Sequence, residues 1–80
     1  MLNDGEKYAK DAAISMQRAE LIVLKGRLGK ISDRELEREK GGSGLRYSFD
    51  IRAVNGLYEV GVDAKAGAVL ENGKEGDHPD

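Results

Sequence analysis

The stretch LRYSFDIRAVNGLYEVGVD, Leu45 to Asp63, constrains this chain more than any other. Two runs of alternating character meet at Asn55-Gly56. A two-residue hairpin turn needs positive φ at both central positions, a conformation Asn and Gly adopt most readily. Such a turn pairs Val54 with Leu57, Ala53 with Tyr58, and so on outward. One face of the ribbon then carries Phe49, Ile51 and Ala53 beside Val62, Val60 and Tyr58. The other carries Arg52 opposite Glu59 and Asp50 opposite Gly61. Apolar pairs share one side and an ion pair lies on the other. The sequence therefore predicts an antiparallel hairpin with one buried face.

A lone hairpin is marginal in water, so that face needs a cover. The candidate is ISMQRAELIVLKGRLG, Ile14 to Gly29. Ser15 is placed as N-cap, its hydroxyl accepting from an amide of the first turn. Ile14 and Ala19 stand at the positions of a hydrophobic staple. Gly29 is placed to end the helix in a left-handed conformation, with Lys25, Arg27 and Lys30 near the negative pole. At about 100° per residue the apolar positions form two arcs. Met16, Ala19, Ile22 and Val23 make one, with Gly26 in its middle; Leu21, Leu24 and Leu28 make the other. One sheet covers only one arc. The second needs either a partner or the N-terminal segment, through Tyr8, Ala9 and Ala12, folded back over it.

The rest of the chain is less patterned. GKISDRELEREKGG favours helix by propensity but also alternates, with Leu36 on one side and Glu35, Glu37 and Glu39 on the other. Strand and helix are evenly matched there. Gly41 to Gly44, GGSG, reads as a flexible connection. Ala68 to Leu70 reads as a short closing strand. Residues 1–13 are expected to be a flexible lead-in, and residues 71–80 a frayed, disordered tail.

Laid out this way, the second half resembles a PepSY domain. The carrying residues are YEVGVDAKAGAVL, Tyr58 to Leu70, similar to the family's aromatic-Glu-Val-x-Val-Asp-Ala-x-Thr-Gly-x-Val-Leu ending. ISMQRAELI before LGKISDRELERE resembles its helix and first strand. The likeness spans residues 14–70. Two positions depart: Ala66 stands where a threonine is usual, and Gly61 leaves a flat spot where a side chain is usual. The resemblance implies an α+β fold, one α-helix packed on a three- to four-stranded antiparallel β-sheet, and it makes ISDRELERE a strand. Asp63, Ala64 and Gly67 become the fold-signature turn. It further implies a non-catalytic binding module in an extracytoplasmic, periplasmic or secreted, setting, where such domains accompany metallopeptidases and a role in restraining them has been proposed.

Few residues invite chemistry. A catalytic Asp63 would need a second acid, a histidine or a metal nearby. Its expected outward neighbours are Ser48 and Glu59, whereas a strand-end Asp commonly accepts from amides two or three positions on. There is no cysteine, and the one histidine, His78, sits in the tail, so neither a structural nor a catalytic zinc set can be assembled. Asp63, Glu71, Glu75 and Asp77 lack the alternating spacing of a calcium loop. GGSG lacks the Lys-Ser/Thr of a phosphate loop. In RYSFDIR, alternation puts the aromatics and the arginines on opposite faces, against a nucleic-acid platform. No enzyme, metal or cofactor is expected.

With 13 basic and 15 acidic residues interleaved, net charge −2, the chain lacks the footprint of a nucleic-acid or anionic-membrane binder. The longest apolar run, Leu21 to Leu24, is four residues, so no membrane insertion is expected. The opening MLNDGEKYAK lacks a signal peptide's apolar core, so the chain is either cytoplasmic or begins after a trimmed leader. Two surfaces remain for a protein partner. The sheet's outer face carries Arg46, Arg52, Glu59 and Gly61. The Leu21, Leu24, Leu28 stripe would suit a homodimer, each leucine yielding about 1.5–3 kcal/mol on burial.

Overall fold

The computed structural model describes residues 4–75. Asp4–Asp11 form a 3₁₀ helix where a loop is predicted. Then come α1 (Met16–Gly26), β1 (Lys30–Arg38), β2 (Leu45–Ala53), β3 (Gly56–Asp63) and β4 (Val69–Lys74). The four strands form one antiparallel sheet in chain order, β1-β2-β3-β4, with α1 packed on one face. This is the expected α+β class, with four strands. His78 and the rest of 76–80 lie outside the described residues, whereas Glu71 to Lys74 belong to β4 rather than to a tail.

The helix begins as its sequence dictates. Ser15 has extended dihedrals and its hydroxyl accepts from Arg18 N at 3.0 Å. It ends earlier than predicted, at Gly26. Arg27 is extended, with its guanidinium over the Tyr58 ring, 3.8 Å from the centroid, and its Nε donating to Asn72 Oδ1 at 3.2 Å. Gly29 is needed elsewhere: a Cβ there would meet the carbonyl oxygen of Arg52 at 2.6 Å. Its missing side chain lets the connection to β1 pass against β2.

The even contest over ISDRELER resolves as strand β1, and tertiary pairing decides it. Leu36 lies against Tyr47 and is buried, while Arg34 and Arg38 face the helix side. There Arg34 meets Glu20 at 3.1 Å and Arg38 meets Asp11 at 3.4 Å. The glutamates of β1 are left on the opposite face. Ala19 and Val23 from α1 close the core over Leu36, Leu45, Tyr47, Phe49, Ile51, Val60 and Val62. Tyr47 also fastens the start of the helix, its hydroxyl donating to Ile14 O at 2.7 Å.

The hairpin is present, but its register differs from the expected one by two residues. Ala53 pairs with Gly56, Ile51 with Tyr58, Phe49 with Val60 and Arg46 with Asp63. Val54 and Asn55 form the turn. Among the described residues no non-glycine has positive φ, so at this turn only Gly56 supplies it, at +143°. Asn55 therefore does not adopt the doubly positive turn. A two-residue slip preserves both faces, so the buried set stays as expected. The pairs across the outer face change: Arg52 stands opposite Leu57, and Asp50 stands opposite Glu59. The predicted Arg52–Glu59 pair is replaced by two carboxylates.

Candidate functional site

The slip in register places Asp63 level with the loop between β1 and β2, and that loop binds it. Asp63 is only 2% exposed. Its Oδ1 accepts from Lys65 N at 2.8 Å, Ala66 N at 3.0 Å and Ser43 Oγ at 2.8 Å; its Oδ2 accepts from Ser43 N at 2.6 Å. Burial alone would push the carboxyl up, but the amides of Ala66, Lys65 and Ser43 and the Ser43 hydroxyl outweigh it. They hold the pKa well below the usual carboxylate range. Such a group is a fixed anion that organises donors, not an acid or base poised to exchange a proton.

The turn that follows is closed by Gly67, φ +76°, whose amide donates to Asp63 O at 2.9 Å. Ala64 is wholly buried. Its amide donates to Leu45 O at 2.9 Å, and its carbonyl accepts from the amides of Ala13 and Ile14. GGSG is thus more than a flexible connection. Gly42, at φ +56°, lies against Asp63, and an added Cβ would collide with Oδ2. Ser43 carries no signal in the sequence, because its role depends on a register that local patterning does not specify.

Arg46 and Gly61 also depart from expectation. Arg46 is not an available surface cation: it is 7% exposed, with Nη2 donating to Lys40 O at 2.8 Å and Nη1 meeting Glu71 at 3.3 Å. It lies across Gly61, where an added Cβ would stand 3.0 Å from Nη1. Gly61 is therefore a slot filled by Arg46 rather than a bare patch. The helix stripe is only partly exposed. Leu21 is 59% exposed and Leu28 81%, while Leu24 is half-buried. Tyr8 and Ala12 pack against the core, and Leu21 and Leu28 stay exposed.

The outer face is strongly acidic. Asp33, Glu35 and Glu37 of β1, Asp50 of β2, Glu59 of β3 and Glu75 line one shallow depression with Ser48. Ser48 Oγ donates to Glu37 Oε2 at 2.6 Å. Burial and neighbouring charges raise three of these carboxyls. Glu35 is pushed up chiefly by the charge of Glu37, Asp50 by burial and then Glu75, and Glu59 by burial and then Glu71. A raised carboxyl disfavours the fold above its folded pKa, and that penalty disappears as pH falls towards its unfolded value. Glu59→Gln is expected to stabilise at pH 7 by about 0.5 kcal/mol, removing a like charge opposite Asp50. In urea denaturation at pH 7 and pH 5, the variant should gain less from acidification than the parent.

Among the described residues, no group of three or more acidic or histidine side chains is arranged to hold a metal ion. No described helix is long and apolar enough to cross a membrane. One helix on a four-stranded antiparallel meander, with a buried turn carboxylate and an acidic face that no other described element covers, defines the class of structure. No family model, curated protein or solved structure matches the chain.

Proposed function

We propose that this chain is a non-catalytic, PepSY-like binding module that holds another protein and, in an extracytoplasmic setting, restrains a peptidase. The observation that carries the reading is the outer face of the sheet, which no other described element covers. The most reactive-looking carboxylate, Asp63, is committed to the turn. The helix covers one face of the sheet and leaves the other, acidic and dished, available for contact. The resemblance of YEVGVDAKAGAVL to the family's ending supplies the peptidase connection. Peptide hydrolysis by an extracellular metallopeptidase, titrated with this protein, should fall saturably. Unchanged hydrolysis at large molar excess would count against restraint.

A second reading is favoured by the exposure of Leu21 and Leu28. In it the helix stripe joins two copies of the chain, without any peptidase. Light scattering on the parent and on Leu21→Asp separates the two readings. A dimer that dissociates in the variant supports the second, and a monomeric parent removes it.

A further inference from the structure

The two edges of the sheet are not equivalent. β1 carries a register shift between Ile31 and Asp33, and its far end is occupied by the 3₁₀ helix, through Arg38 against Asp11 and the Tyr8 ring. Bulges and charged flanks of this kind discourage strand addition. β4 is irregular only at its start. From Glu71 to Lys74 it pairs without interruption: Glu71 with Gly61, Asn72 with Val60, Gly73 with Glu59, Lys74 with Tyr58. Among the described residues no further strand lies beside it.

Alternation puts Glu71 and Gly73 on the outer face. The two outer-face glycines next to each other, Gly61 and Gly73, have opposite surroundings. Arg46 lies across Gly61 and reaches Glu71. An added Cβ at Gly73 would meet nothing within 4 Å. That open slot leads to Glu59, the direct partner of Gly73, and Glu59 shares the acidic depression with Glu75. At Gly61 the chain supplies its own guanidinium. At Gly73 the same room and the same charge are present without one.

We propose that the β4 edge accepts an extended, arginine-bearing segment of a partner protein as a fifth strand, one arginine lying across Gly73 to Glu59 and Glu75 as Arg46 lies across Gly61 to Glu71. Main-chain bonds along Glu71–Lys74 supply the pairing, and the planar guanidinium supplies the selectivity. This rests on the reading of the chain as a binding module and names the partner's chemistry.

The test uses the full chain and a capped nonapeptide alternating Val and Arg, followed by fluorescence anisotropy and amide NMR shifts. Shifts should concentrate on Val69–Lys74 and Glu59. A citrulline version of the peptide should bind at least about ten-fold more weakly, as loss of a charge-assisted bidentate contact requires. Gly73→Leu fills the slot and should weaken binding similarly while leaving the melting temperature unchanged. Equal binding of the citrulline peptide, or unaltered binding to Gly73→Leu, would overturn the proposal. So would full binding of a peptide N-methylated on alternate residues along either edge, which signals adhesion to the acidic face only. Peptide binding without any effect on metallopeptidase hydrolysis would defeat peptidase restraint and leave this inference standing. Slowed hydrolysis without peptide binding would do the reverse.

Discussion

Asp63→Ala should destabilise the domain by about 3 kcal/mol in urea denaturation at pH 7. The substitution orphans the amides of Ser43, Lys65 and Ala66 together with the Ser43 hydroxyl, around a side chain only 2% exposed. Hydrogen bonds to a charged acceptor contribute about 1.5–3 kcal/mol each when taken singly, and coupled ones do not add. Asp63→Asn keeps one acceptor oxygen and turns an amide donor towards other donors, so a smaller loss is expected. The pH dependence follows from the lowered pKa. The contribution is complete above the unfolded value of about 4. It is lost as pH falls towards the folded value, so the gap between parent and variant should narrow below about pH 4. An unchanged Asp63→Ala stability at pH 7 would mean that the loop is held by something else.

Phe49→Ala should cost about 4 kcal/mol, as truncation of a fully buried aromatic does. Phe49 lies in a central strand, 1% exposed, opposite Val60 on β3 and Arg34 on β1. A small domain has a total stability near that size, so the variant is expected to be largely unfolded by circular dichroism at 37 °C. Val54→Ala, by contrast, should change stability by less than about 0.5 kcal/mol. The observed register puts Val54 in the turn, fully exposed, instead of paired with Leu57.

The features legible in the sequence are those set by short-range geometry. Alternation identified β2 and β3 and their buried faces. Ser15 announced the start of α1, and its capping bond to Arg18 is present. Where Ile31 to Arg38 were evenly matched between helix and strand, only pairing with β2 decides, and pairing is a long-range property. The hairpin register failed for a related reason. Asn55-Gly56 favours a tight turn locally, but the slip that moves Asp63 beside Ser43, twenty residues away, depends on contacts outside the hairpin. Arg46 lies on the outer face, as alternation assigns it, but the missing side chain at Gly61 lets it fold down onto the sheet and reach Glu71, which alternation does not show.

Charge was the least legible property of all. Along the chain the two signs are interleaved, which suggests a neutral, solvated surface. In RELER the strand period sends Arg34 and Arg38 to the helix side, where Glu20 and Asp11 meet them, and leaves Glu35 and Glu37 outside. Asp50, Glu59 and Glu75 join those glutamates only through cross-strand pairing and the return of β4. A polyampholyte sequence thus folds into a domain with one markedly acidic face. That face, and the edge beside Gly73, are where the proposed partner's cations would be recognised.

Asp63 is a fixed anion of the turn rather than a reactive acid. Titration of its side-chain carboxyl carbon by NMR tests this most directly. A midpoint well below the ordinary aspartate value of about 4 is predicted, with the Ser43 amide shifting in step. A midpoint at or above that value, with Ser43 unmoved, would contradict it.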